Sequence, residues 1–311
     1  MNNEITFFKF QRKFSTELRC LKYLFKQRWP NGFICPKCQH NRYSFHTSRK
    51  LFQCKNCEYQ ASITAGTIFH KTRTPLKKWF WMIFFISKNK TGYSILYLQN
   101  LLEIPCYKTA WVMVQKIREA MQSREVLYKL NGEIELDDAY FGPRNVSGKR
   151  GRGADKKTPA FIAVGLREVK KKEQSKSEIR PGFLKIKTAQ NVQQETAKNF
   201  VLQNIEPKSL LKTDGYKSYK FTTNFDYNHQ AIRIGNPKET LKYLPWVHIV
   251  IGNAKGLIKG VHHGVSAKYL DRFFIEFCYK FNRRFIEKRI FNNLINACCS
   301  TKTVTLAELR S

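Results

Sequence analysis

Cys35 and Cys38 form a CxxC pair, and after fifteen intervening residues Cys54 and Cys57 form a second. This spacing constrains the fold more than any other feature, because two facing CxxC turns complete a tetrahedral shell of four thiolates. Such a shell takes Zn2+ and leaves no open position, so the metal it predicts is structural. Between the pairs, Arg42 to Phe45 and Lys50 to Gln53 alternate as a short hairpin does, with Tyr43, Phe45 and Phe52 available to pack. Cys20, Cys106, Cys278, Cys298 and Cys299 have no comparable spacing and read as buried apolar side chains. With four cysteines in place, His40, His46 and His70 have no ligand role there. Nine cysteines, four of them so organised, point to a reduced, intracellular setting.

Charge narrows the partners. The 311 residues carry 56 Lys and Arg against 23 Asp and Glu, a formal net charge of +33. Up to residue 130 there are 23 basic and 6 acidic residues, and beyond it 33 and 17, so the excess is no detachable tail. A polyanion is the natural partner, and nucleic acid fits better than an anionic membrane. The most apolar run, Trp79 to Ser87, is nine residues between lysines, far below the about 20 needed to span a bilayer. It reads as a buried helix, and no cleavable leader precedes it. With 42% hydrophobic residues the chain has enough apolar surface for a substantial core.

Pro75 opens a helical pattern through Leu76, Trp79, Phe80, Ile83, Phe84 and Ile86, which Lys90-Thr91-Gly92 breaks. A second pattern holds Ile95, Leu98, Leu101 and Leu102. A third begins near Lys108 and holds Ala110, Val112, Val114, Ile117 and Met121. Three short helices with tight connections suit a helix-turn-helix. Its last helix would present Lys108, Lys116 and Arg118, with Thr109, Trp111 and Gln115, to phosphates or base edges.

From Glu133 the period shifts to strands. Glu133 to Phe141 alternates around Glu135, Asp137 and Asp138, and four acids within six residues stand out in so basic a chain. Ala160 to Leu166 and Gly182 to Ile186 are strand-like, Asn191 to Asn204 helical, and Ser209 to Asp214 an apolar strand ending in an acid. Three strands, a helix and a fourth strand, with Asp137 and Asp214 on strand segments, is the order of a ribonuclease-H-like α/β fold. Two carboxylates side by side there suit Mg2+, which prefers oxygen ligands and stabilises the attacking and leaving oxygens of phosphodiester chemistry.

The residues also match a family. RWPNGFICPKC from Arg28 to Cys38, KNC from Lys55 to Cys57, and KTAWVMVQKIREAM from Lys108 to Met121 resemble zinc-ribbon insertion-sequence transposases of the DDE type, the ISXO-two-like group. So do IELDDAYFG from Ile134 to Gly142 and KTDGYKSY from Lys212 to Tyr219. The last block is WVHIVIGNAKG, VHHGVSAKYL and FNRR between Trp246 and Arg284. The resemblance runs from about residue 10 to about residue 287. It implies that Asp137 and Asp214 are the first two ligands of catalytic Mg2+, with Mn2+ as an alternative. Asn253, five residues after His248, matches the third position. An amide oxygen there brings no negative charge, so a second metal would be held more loosely. Glu276 is the rival third ligand. Lys255 and Lys259 are both candidates for the basic residue that follows on the same helix, and His248, His262 and His263 are neighbours without an assigned role.

Arg144 to Lys157 is basic and Gly-rich, and Lys149, Arg150 and Arg152 in it read as a DNA clamp. Lys170 to Arg180 reads as a hairpin tip. The organisation expected is a helical lead at 1–30, the zinc ribbon at 31–66, the helix-turn-helix-like region at 67–130, the ribonuclease-H-like domain at 131–290, and a tail at 291–311. The function expected is a bacterial transposase, in the cytoplasm with the nucleoid, that binds its element's terminal repeats. It would free a 3′-OH by strand hydrolysis and join it to target DNA, as a homo-oligomer because two ends must be paired. The alternatives are a catalytically decayed transposase and a zinc-ribbon DNA-binding regulator.

Overall fold

The computed structural model describes residues 5–142, 157–170, 177–232, 242–262 and 265–310. They divide into two compact units, one of residues 1–124 with 286–311 and one of residues 125–285.

The first unit begins with α1 (Phe7–Lys13) and α2 (Glu17–Arg28), started by the hydroxyls of Thr6 and Thr16, which accept from the third amide beyond. A three-stranded antiparallel sheet follows, β1 (Tyr43–His46), β2 (Leu51–Cys54) and β3 (Gln60–Ser62), in that order. Phe52 is buried at its centre against Phe25, Trp29, Phe33, Tyr43 and Phe45. Next come α3 (Leu76–Lys88), α4 (Ile95–Leu101) and α5 (Tyr107–Glu125). Pro75 offers no side-chain cap to α3. Glu17 supplies it instead, its carboxylate accepting from Leu76 N at 2.9 Å and Lys77 N at 3.1 Å.

The stretch read as a tail is ordered structure. α9 (Glu287–Ser300) and α10 (Leu306–Arg310) belong to the first unit, and α9 packs on α3. Phe291 sits among Phe10, Phe14, Phe80 and Phe84, and Tyr23 donates to Asn292 Oδ1 at 2.8 Å.

The second unit is a five-stranded sheet of β4 (Glu133–Phe141), β5 (Thr158–Lys170), β6 (Ser177–Thr188), β7 (Leu210–Thr213) and β8 (Asn228–Ala231), in spatial order β6-β5-β4-β7-β8. β4, β5 and β6 form an antiparallel meander, and β7 and β8 run parallel to β4. α6 (Gln194–Asn204) connects β6 to β7 as the crossover a parallel pairing requires. Helices cover both faces, which is why β5 reads as a continuous apolar run and not as an alternation. One face packs Ala139, Ile162 and Val164 against α7 (Pro245–His262) and α8 (Ala267–Asn282). The other packs Ile134, Leu136 and Phe161 against α6 and a 3-10 turn at Lys217–Asn224. This is a mixed α/β fold with the ribonuclease-H-like strand order, behind a four-cysteine sheet and a helical region.

The outer edge of β6 is covered by side chains. Asp271 accepts from Thr188 N at 2.7 Å, and Asn282 accepts from Leu184 N at 2.7 Å while donating to Leu184 O at 3.0 Å. Arg284 donates to the carbonyls of Gly182 and Pro181. Asn282 also donates to the buried carboxylate of Glu125, to which Arg283 and Tyr128 add their own bonds. The FNRR segment is therefore a structural fastening of the sheet edge.

Candidate active site and zinc centre

The four cysteines converge, their sulfurs all within 4.8 Å of one another. The two knuckles are built alike. Lys37 N and Asn56 N each lie 3.4 Å from the sulfur of Cys35 and Cys54, two residues before them. Gln39 N and Glu58 N close the turns onto the carbonyls of the same cysteines, at 3.0 and 3.2 Å. Gln39 and Glu58 take left-handed backbone, φ 60° and 56°, which swings each chain out of its turn. Four thiolates with amide donors to sulfur fit a structural Zn2+. Among the described residues this is the one compact group of three or more Cys, His, Asp or Glu side chains able to hold a metal.

The carboxylates are aligned by strand register. Glu133, Ile134 and Glu135 of β4 pair with Leu210, Leu211 and Lys212 of β7. Continued by two residues, this register brings Asp137 level with Asp214, which directly follows the end of β7, on strands about 4.8 Å apart. Asp137 is buried, and one of its oxygens accepts from Asp138 N at 2.8 Å. Asp214 is half-buried, and its Oδ1 accepts from Tyr216 N at 3.0 Å.

α7 supplies the third side. His248 Nδ1 lies 3.8 Å from Asp137 Oδ2, and its buried Nε2 has no hydrogen-bond partner among the described residues. Burial holds His248 below its ordinary value, with Asp214 opposing and Lys255 adding to the depression. Lys255 is itself held down by partial burial and by Lys157, while Asp137 pulls it up. Asp137, Asp214, His248 and Lys255 thus act on one another electrostatically. With 3.6 residues per turn, Lys255 lies about 20° around the helix from His248 and Asn253 about 140°. Asn253 is exposed. Glu276 is buried on α8 and pairs with Lys280 at 2.6 Å. Lys259 is exposed, about three turns along α7 from His248.

The carboxylate pair fits Mg2+ by donor type, hard oxygens in a strongly basic chain, with the orphaned His248 Nε2 beside them. The sequence left His248 without a role and noted Glu135 only as one of the crowded acids of β4. Glu135 is buried on the same face of β4 and accepts from Val247 N at 2.7 Å, so it caps the start of α7. Burial pushes its carboxyl up to about 7, against the pull of the Val247 and Trp246 amides. This cap ties the helix that carries His248 to the strand that carries Asp137. The only signal for it in the sequence is the crowding of acids on β4.

The presumed DNA-reading helix needs correction. Arg118 is fully buried, and Lys116 is half-buried with its ammonium on Ile68 O at 3.1 Å. α5 buries residues on every side and acts as a core helix, so of the three basic residues expected to meet DNA only Lys108, near its exposed start, is presented to solvent. Lys149, Arg150 and Arg152 lie outside the described residues, as does His263. No helix among the described residues is long and apolar enough to cross a membrane.

Comparison with known proteins agrees with this arrangement. Residues 129–282 match the ISXO2-like transposase domain, and residues 15–60 match the transposase zinc-ribbon domain. An uncharacterized protein in transposable element ISH50 of Halobacterium salinarum is 29% identical over 168 residues, 49% of this chain and 55% of that protein. The chain therefore spans only about half the length of that relative. The four-cysteine centre, the strand order and both domain matches converge: the chain carries an ISXO2-like DDE transposase domain behind a transposase zinc ribbon.

Proposed function

We propose that this chain cuts a DNA strand at the ends of its own mobile element, freeing a 3′-OH, and joins that hydroxyl to target DNA. The observation that carries the reading is the parallel register of β4 on β7, which continued by two residues sets Asp137 beside Asp214, with His248 at 3.8 Å from Asp137. Asp137 and Asp214 would hold Mg2+, which supplies charge neutralisation at the phosphate and at the oxygens that attack and leave. Asp137 is oriented for this by the Asp138 amide, and Asp214 by the Tyr216 amide. Lys255 lies on the His248 side of α7 and offers a cation to a strand phosphate, and Lys259 extends the same stripe. The basic stretch with Lys149, Arg150 and Arg152 follows β4 in the chain and would add phosphate contacts without reading sequence. Two element ends must meet, so the acting form is an assembly of copies on chromosomal DNA.

One observation favours a second reading, a chain that binds element ends without cutting them: Asn253, an uncharged amide at the third position, is exposed. A single assay decides. Purified protein is incubated with Mg2+ and duplex DNA carrying the element's ends, alongside the Asp137→Asn and Asn253→Ala variants. Cleavage by wild type and loss with Asp137→Asn are expected. Binding without cleavage by any form would sink the catalytic reading. Unchanged cleavage by Asn253→Ala would remove Asn253 from the ligand set.

A further inference from the structure

A cleft of about 480 Å³ opens at the end of the sheet where β4 and β6 finish and the chain leaves β7. The carboxyl ends of parallel strands are where open α/β sheets take their ligands, and the size falls within the usual range for small-molecule sites. Tyr140, next to last in β4, and Tyr216, two residues past Asp214, line it with Lys157 and Lys217. The amides of Gln190 and Gln193 complete the wall.

The cleft is held open by its own backbone. Ala189 N donates to Pro159 O at 2.9 Å, and the Ser218 hydroxyl donates to Val192 O, so the loop after β6 is fastened on both sides. Asn191 Oδ1 accepts from Gln193 N at 3.0 Å and from Thr196 Oγ1 at 2.7 Å. The Tyr216 amide bonded to Asp214 Oδ1 makes one wall of the cleft continuous with the carboxylate pair.

The lining chemistry is specific. Phenol rings give a flat apolar surface for a planar ligand, side-chain amides pair with the edge of a base, and two ammonium groups suit the phosphates on either side. Tyr216 also packs on the core under the sheet, but a backbone phosphate alone would use only the lysines, whereas the rings and amides that share this lining match a base. A base stacked in a duplex cannot reach such a wall, so its nucleotide must swing out of the stack. We infer that this cleft receives one unstacked nucleobase of the DNA strand whose phosphate lies at Asp137 and Asp214. The inference rests on the strand-cleavage reading for the identity of that strand, and it adds a binding site distinct from the carboxylates.

The test uses the full chain and single-stranded oligonucleotides of the element end, each with one 5-iodouracil at a successive position. After long-wavelength irradiation, cross-linked peptides are identified by mass spectrometry. Cross-links at Tyr140 or Tyr216 from one or two adjacent positions are expected. Stacking is worth about 1–3 kcal/mol per base, so Tyr216→Ala should weaken oligonucleotide binding by roughly 5- to 150-fold. Gln190→Ala changes an exposed side chain and provides a variant that keeps the fold. It should flatten the preference among bases at the cross-linking position. Cross-links found only outside the cleft, or wild-type affinity and base preference in both variants, overturn the proposal. Cross-linking in the cleft without Mg2+-dependent cleavage would uphold the site and refute the cleavage reading. Cleavage without cross-linking in the cleft would do the reverse.

Discussion

Asn282→Ala removes one amide that serves four groups. Its Oδ1 accepts from Leu184 N at 2.7 Å, and the two hydrogens of its Nδ2 are shared among Leu184 O at 3.0 Å, Glu125 Oε2 at 2.7 Å and the Tyr128 hydroxyl at 2.6 Å. Each neutral bond to the buried Leu184 backbone is worth about 1 kcal/mol, and the bond to a buried carboxylate about 1.5–3 kcal/mol, so the loss is about 3–5 kcal/mol. For a unit of about 160 residues each kcal/mol moves Tm by about 2–4 °C, giving a drop of about 6–20 °C. Thermal unfolding measures the total, and hydrogen exchange at the Leu184 amide reads the edge of β6 directly. Asn282→Asp keeps an acceptor for Leu184 N, loses both donors and sets a second carboxylate against Glu125, so it should lose more than alanine. A loss below about 1 kcal/mol, or unchanged protection at Leu184, would refute the idea that this side chain closes the strand edge.

Metal analysis should find near one zinc per chain, and Cys35→Ser or strong chelation should unfold the ribbon; folded, zinc-free protein would contradict the four-thiolate assignment. Glu135→Ala leaves the Val247 amide without its acceptor in a buried place and should cost about 1–3 kcal/mol, while Glu135→Gln retains an oxygen and recovers much of it, as paired urea titrations would show. Lys108→Ala should weaken DNA binding evenly across sequences and reduce the salt slope by about 1 with the fold intact. Arg118→Ala should instead destabilise the first unit by about 2–4 kcal/mol, because its guanidinium is buried; binding assays and melts on the two variants separate these outcomes.

What could be read from the sequence was local chemistry or a strong period. The zinc centre is legible because each knuckle encloses its own ligands within four residues. Glu133 to Phe141 reads as a strand to the residue, because its alternation matches the two packed faces. The expectation that Asp137 and Asp214 lie together came from the order of elements, and the parallel register of β4 on β7 is consistent with it. His248 and Glu135 were opaque, since each acquires its role from a partner more than a hundred residues away in the chain. The helix after Tyr107 misled for a different reason. Lys116 and Arg118 are two residues apart, about 200° around a helix, so they never shared one face for DNA. β8 escaped notice because Asn228 to Ala231 is a short, mostly exposed edge strand with no apolar pattern.

The first unit is assembled from both ends of the chain, with α9 closing over the aromatic side chains of α1 and α3. This sets an order on biosynthesis. At about 5–20 residues per second, the ribosome needs on the order of 10–40 s to travel from residue 124 to residue 311. Throughout that interval Phe10, Phe14, Phe80 and Phe84 lack the cover of Phe291, while the contiguous second unit has all its strands available to fold. A frameshift or stop codon after Phe285 would thus spare every residue of the carboxylate site and still leave a nascent chain with a sticky, unfinished amino-terminal half, a natural target for chaperones and proteases.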